Sequence, residues 1–218
     1  METYNTLRLS EKATQKIEQI CRTAAKVFST KGYINATLID VSLAARLSKG
    51  GIYHYFGSKE ELLAVILSRH MDRFFLGLKE ELERANKPHE KIRAFILHDI
   101  QNYCQNLHES RLLLHDAHNL PQKYYKIVKD KEKEYVRILE SIVKSLMRGS
   151  PSKSGRVKLV TYCLLGMINW PYRWYNPKGR VPPEELADQI YEIFVGRLQL
   201  MKEFEGRPGK SIKQDHGS

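Results

Sequence analysis

The chain has 218 residues, 42% of them hydrophobic and 28% charged, with a net charge of +11 and a mean hydropathy of −0.48. That composition suits one or two compact units and excludes a disordered polymer, and no apolar run is long enough to cross a bilayer. The first residues, METYNTLRLSEKATQKI, lack the apolar core of a secretion signal, and Cys21, Cys104 and Cys163 form no CxxC pair; the expectation is a cytoplasmic protein with reduced thiols.

The basic balance favours a polyanionic partner, nucleic acid or an acidic membrane surface. Residues 1–60 are only slightly richer in positive charge than the whole chain, so charge permits DNA binding without locating it. Pattern has to do that. From Ser10 to Thr30, Ile17, Ile20, Ala24, Val27 and Phe28 recur at three- and four-residue steps, which puts them on one helix face. Gly32 follows where a helix commonly ends in the left-handed conformation. Thr37 with Asp40 has the spacing of a capping box, and Val41 and Ala44 are expected on the inward face of a short helix, with Ala45 allowing a close crossing.

Arg46 and Leu47 make a turn, and Ser48 is placed to cap the next helix. In that helix Ile52 and Phe56 point inward, leaving Lys49, Gly50, Tyr53 and His54 on the open side. Gly50 and Gly51 each cost about 1 kcal/mol of helix propensity relative to Ala. Such a cost suits a backbone that approaches DNA closely, or it marks a loosened surface turn. Gly57 ends the helix, and Ser58 to Glu61 (SKEE) is a capping box for the helix that follows. Two helices joined by a tight turn, the second short and faced with Lys, Tyr and His, describe a helix-turn-helix.

These residues resemble the TetR family of bacterial regulators. The resemblance is carried by Phe28, Gly32, Thr37, the LIDVSLAA helix, Leu47-Ser48-Lys49-Gly50, Ile52-Tyr53-His54-Tyr55-Phe56 and Ser58-Lys59-Glu60-Glu61-Leu62-Leu63, over about the first 65 residues. Arg46 departs from it, because the family usually has glycine in the turn. The resemblance implies that Lys49, Gly50 and Tyr53 face base edges, with Ser48 beside them capping that helix, and that Thr37, Tyr53, His54 and Lys59 hold phosphates. The alternative is that Tyr53 and Tyr55 pack and Lys59 is a solvated charge; for Tyr55 packing is the expectation.

A long helix from Ser58 to about Asn86 buries Leu62, Leu63, Ile66, Phe74, Leu78 and Leu82, and Lys87-Pro88-His89 breaks it. Residues 90–107 and 109–118 are helical again, Pro121 opens a helix through Met147, and GSPSKSG at 149–155 is a loop. No stretch has the period-two alternation of a strand. Two apolar helices close the chain, 156–175 and 183–204, the second carrying Leu186, Ile190, Ile193, Phe194, Leu198 and Met201. Such a pair needs a partner surface, and the resemblance implies a homodimer through it. The fold class is therefore all-α, with about nine helices. It comprises a helix-turn-helix DNA-binding domain (1–60), an effector-binding and dimerisation domain (61–205) and a flexible tail (206–218).

The stretch GMINWPYRWY, Gly166 to Tyr175, gathers aromatics and Arg173 around Pro171, which should bend or end its helix. Either Met167, Trp170, Arg173 and Trp174 form a wall of a ligand cavity, or the two tryptophans pack in a dimer core. Tyr103, Tyr124 and Tyr125 line the cavity or pack. The ending resembles a TetR subgroup whose effectors include acyl-CoA thioesters, for which an apolar, aromatic and basic lining is suited. His108, His115 and His118 with Asp116 admit a metal-dependent enzyme as an alternative, or are ordinary polar residues. The leading expectation is a non-enzymatic repressor, with no cofactor, no metal and no membrane partner. It binds a palindromic double-stranded operator as a homodimer and is released by a small apolar effector such as an acyl-CoA. A constitutive DNA-binding protein without an effector is the other alternative.

Overall fold

A computed structural model describes residues 11–148 and 154–205. The expected tail at 206–218 lies outside them, as does most of the expected loop at 149–155. The described residues form α1 (Glu11–Lys31), α2 (Leu38–Ala44), α3 (Lys49–Tyr55), α4 (Lys59–Arg84), α5 (Pro88–Gln105), α6 (Leu107–Asp116), α7 (Gln122–Leu146), α8 (Ser154–Asn169) and α9 (Pro183–Glu205). Short 3-10 turns follow α6 (Ala117–Asn119) and α8 (Trp170–Arg173). Among these residues there is no strand, and no helix is long and apolar enough to cross a membrane.

The first three helices end and begin where the side chains dictate. Gly32 closes α1 at φ 84°, a conformation that costs glycine little. Thr37 Oγ1 accepts from the Asp40 N–H at 3.2 Å while Asp40 accepts from the Thr37 N–H at 2.8 Å, a reciprocal cap on α2. Val41, Ser42 and Ala45 are buried. Ala44, expected inward, is exposed. At about 100° per residue it falls just outside the arc spanned by Leu38, Val41, Ser42 and Ala45.

Arg46 occupies the tight turn at φ 53°, the one non-glycine residue with positive φ among those described. The turn is held by Ala45 N–H to Val41 O and Leu47 N–H to Ser42 O, both 2.8 Å. At α4, Ser58 Oγ accepts from Glu61 N–H at 3.1 Å, but the Glu61 carboxylate receives the N–H of Gly57, at 2.9 Å. The expected box is thus offset by one residue.

Two apolar cores share α4. Leu62, Leu63, Ile66, Leu67 and Met71 pack with Ile20, Ala24, Phe28, Val41, Ile52 and Phe56 of the head, and Leu112, Ala117, Leu120 and Val128 join them. Phe74 and Leu78, further along the same helix, pack with Ile92, Phe95, Ile96, Leu139, Leu164 and Ile190 of the body. Packing therefore does not break at residue 60. Gly77 lets α5 come close: a Cβ there would lie 2.7 Å from His98 Cε1, whose ring bonds the Phe74 carbonyl at 2.9 Å.

A left-handed backbone costs an L-residue with a Cβ roughly 1–2 kcal/mol, and glycine far less. Arg46→Gly should therefore raise the stability of the free protein by about 1 kcal/mol in denaturant titrations. A lowered midpoint would show that the turn is unstrained.

Candidate functional site

The exposed face of α3 is set by what the helix buries. Ile52 and Phe56 are at most 3% exposed, which turns Lys49, Gly50, Tyr53 and His54 to the outside. Ser48 Oγ caps the helix by accepting from Gly51 N–H at 3.0 Å. The two glycines separate in role. A Cβ on Gly51 would press on Ser48 Oγ at 3.2 Å, whereas one on Gly50 would meet nothing within 4 Å. Internal packing accounts for Gly51 and leaves Gly50 unexplained within the protomer. His54 rests edge-on against Tyr55, whose ring packs on the head core as expected.

Two expected phosphate ligands are engaged elsewhere. Lys59 Nζ donates to the carbonyls of Tyr33 (2.9 Å), Ile34 (3.3 Å) and Ala36 (3.0 Å) and lies over the Tyr33 ring. An ammonium has three protons, and all three are used in fastening the α1–α2 connection to α4. Within the protomer Lys59 is thus a structural cation. The Thr37 hydroxyl proton goes to Asp40 Oδ2 at 2.8 Å. Lys31, at 2.7 Å, and Thr37 together hold the Asp40 carboxyl down at about 2.

The body encloses a cavity of about 560 Å³ walled by α4, α5, α6, α7 and α8. Its lining includes Met71, Phe74, Tyr103, Leu113, Leu165 and Ile168, with Lys129, Lys133, Arg137 and Lys158 among the charged side chains. Of the expected effector residues, Tyr103 lines it, and its hydroxyl donates to the Tyr172 carbonyl at 3.3 Å. Tyr124 instead packs against the head core under Lys123.

Met167, Trp170 and Trp174 lie on the other side of α8, and Arg173 is exposed outside the cavity. The reason is helical phase. Tyr162, Leu165 and Ile168 face the cavity, so Cys163, Gly166, Met167 and Trp170 fall on the opposite stripe. Pro171 then converts the helix to a 3-10 turn that carries Trp174 along the same outer surface. Trp170 and Trp174 are each 60% exposed there, next to exposed Leu159 and Ile193. A Cβ on Gly166 or Gly196 would meet nothing within 4 Å.

His70 and Asp99, polar residues of the cavity wall, escaped the sequence reading. His70 is 3% exposed, its Nε2 3.3 Å from Ser110 Oγ, and burial lowers its pKa to about 4. Asp99 accepts from the Tyr135 hydroxyl at 2.7 Å, and burial raises its carboxyl to about 7. A signal existed. His70 is four residues from Ile66 and from Phe74, and Asp99 is four from Phe95 and from Tyr103, so both interrupt an inward stripe.

The histidines that suggested a metal do not converge. His108 Nδ1 pairs with Ser29 Oγ at 2.6 Å, and the His115 ring lies edge-on to Tyr172. Among the described residues no three His, Cys, Asp or Glu side chains are grouped to hold a metal ion.

Residues 20–66 match the family described as "Bacterial regulatory proteins, tetR family", and residues 85–198 match "Tetracyclin repressor-like, C-terminal domain". The second match alone spans more than half of the chain. The chain belongs to the TetR family. Among TetR relatives, the transcriptional regulator HbdR of Aromatoleum sp. is 25% identical over 202 residues, 90% of this chain and 84% of that protein. The repressor KstR2 of Mycolicibacterium smegmatis is 27% identical over 188 residues, 83% and 89% of the two chains. A crystal structure of AibR in complex with isovaleryl coenzyme A and operator DNA superposes with a TM-score of 0.74 at 26% identity, over 82% of this chain and 97% of that one.

Two measurements check the roles given to Lys59 and His70 in this TetR protein. Lys59→Met should lower stability by roughly 1–3 kcal/mol and leave the salt dependence of DNA binding unchanged, whereas loss of a phosphate contact would reduce that slope by about 1. Below an ordinary histidine pKa of 6.5 the unfolded chain takes up a proton at His70 that the folded chain refuses until about pH 4. Stability should therefore fall through that window by up to about 3 kcal/mol more than in His70→Gln, seen as denaturant midpoints measured against pH.

Proposed function

We propose that the protein is a transcriptional repressor that binds a near-palindromic operator as a homodimer and releases it when an acyl-CoA thioester occupies the body cavity. Each protomer offers Lys49, Gly50, Tyr53 and His54 to the major groove of one half-site. Bare backbone at Gly50 lets α3 approach closely, and its open surroundings support that role. Ser48 and Thr37 act through the helix caps they form.

The second copy covers the outer stripe of α8 and α9. Leu159, Tyr162, Trp170, Trp174 and Ile193 are all at least half exposed in the protomer, and Gly166 and Gly196 leave room for close approach. The cavity volume is within the range of small-molecule sites. Apolar walls suit an acyl chain, and Lys129, Lys133, Arg137 and Lys158 suit the phosphates of coenzyme A. AibR, at 26% identity, is described with isovaleryl coenzyme A and operator DNA bound, which supports the same pair of ligands here.

The observation that carries the coupling is the double contact of α6. Ser110, Leu113 and Leu114 line the cavity, while His108 of the same helix pairs with Ser29 of α1 at 2.6 Å. A ligand that displaces α6 therefore moves α1 and, through the shared core, α3. A tenfold loss of operator affinity requires about 1.4 kcal/mol of differential ligand binding between the two arrangements. None of this requires catalysis.

In fluorescence anisotropy with DNA from upstream of the protein's own gene, binding should weaken linearly in log–log salt plots, and Lys49→Ala should lower affinity about tenfold or more. Absence of salt-sensitive binding to any such segment would sink the repressor reading. An acyl-CoA at 100 times its Kd should add ~2.7 kcal/mol of stability and release the DNA. Ile193→Glu combined with Trp170→Glu should leave folded monomers by light scattering; an unchanged dimer would place the interface elsewhere.

A further inference from the structure

One wall of the cavity contains an acid with no charged partner among the described residues. Asp99 lies on α5 among Phe95, Ile96 and Ile100, all essentially inaccessible, and lines the cavity with Phe74, Asn102 and Tyr135. Among the described residues its carboxyl receives one hydrogen bond, from the Tyr135 hydroxyl at 2.7 Å, and no cation pairs with it. A carboxylate offers about four acceptor positions, so most of its capacity is unfilled within the protein. Tyr135 is itself fixed, its ring 5.5 Å from Phe74 and 5.3 Å from Phe95. The pair is a polar feature fixed between the rings of Phe74 and Phe95.

The cations of the cavity do not serve it. Lys129 pairs with Glu132 at 3.0 Å and Arg137 with Glu134 at 2.7 Å, on the solvent side of α7, and Lys158 is exposed on α8. The cavity is thus divided: its solvent-facing side mixes Lys129, Lys133, Arg137 and Lys158 with Glu132 and Glu140, and Asp99, without a charged partner, is set in the inner wall. A ligand that fills both parts is anionic at one end and brings a hydrogen-bonding group to the other. A plain alkyl end would leave the Asp99 carboxyl desolvated with Tyr135 as its one donor, which is costly. A second carboxylate would meet like charge.

We infer that the acyl group of the effector carries a hydroxyl, received by the Asp99 carboxyl beside Tyr135. A hydroxyl both donates and accepts, so it fits Asp99 ionised or protonated, and a carboxyl raised to about 7 populates both forms near neutral pH. Asp99 is then the residue that separates hydroxylated from unsubstituted acyl chains, as a buried polar group does when one ligand satisfies it and its analogue cannot. This rests on the reading that a CoA thioester occupies the cavity.

The test uses full-length protein and matched CoA thioesters of about six to twelve carbons, each chain with and without a terminal hydroxyl, titrated by calorimetry. At the chain length that reaches Asp99, the hydroxylated member should bind about tenfold or more tightly than its partner. Asp99→Leu, which replaces the half-buried acid with an apolar group of similar size, should remove that preference while retaining operator binding as proof of folding. Asp99→Asn is the second variant, and should keep part of the preference through its remaining acceptor. Equal binding of both members at every length overturns the inference, as does a preference that survives in Asp99→Leu. If no thioester of either kind binds, the acyl-CoA reading fails, and this inference fails with it.

Discussion

Helix α4 belongs to two cores at once, and the rest of the molecule depends on that. Its first three turns complete the head, burying Leu62, Leu63, Ile66 and Leu67, and its next turns supply Phe74 and Leu78 to the body. A helix cannot shift or rotate in one core and stay still in the other, because interiors packed at crystal density do not deform continuously. The Lys59 ammonium tightens the constraint by gripping three carbonyls of the α1–α2 connection. Head orientation is therefore fixed to the axis of α4. The cavity wall at His70, Met71 and Phe74 is thus built on the helix that also completes the head core.

The head was legible in the sequence because its architecture is local. Caps at Thr37 and Ser48, the left-handed Gly32 and the Ile52–Phe56 spacing act within four residues, and local rules suffice to read them. Even Arg46, out of place where glycine is usual, was legible as a departure, and its φ of 53° gives the physical content. What escaped was long-range. Lys59 read as a phosphate ligand, with a solvated charge as the alternative, because nothing near it in sequence reveals three carbonyls, contributed by residues 23 to 26 positions earlier, pointing at it.

In the body the helices were legible and their phases were not. The stretch around Trp170 is apolar on several faces, so periodicity could not say which face met the cavity; packing of Leu165 and Ile168 against the interior decided it. The tryptophans drew attention by size and composition, and with Met167 they line a hollow on the other side of α8 from the cavity of Leu165 and Ile168. Asp99 and His70 drew none, because a single polar residue in an apolar stripe is easily read as noise. Yet burial of an ionisable group is costly enough that its presence is the more informative signal.

Helix α8 has the cavity on one side and the outer apolar stripe on the other, with Tyr162 at the border between them. In a twofold assembly on that stripe, a single layer of helix separates the ligand from the neighbouring subunit. Residue changes that reshape the cavity to admit a new molecule would then also reshape the surface by which copies recognise one another. Ligand preference and partner choice could not drift independently after gene duplication. A diverging copy that acquired a new effector would tend, by the same substitutions, to stop mixing its subunits with those of its parent.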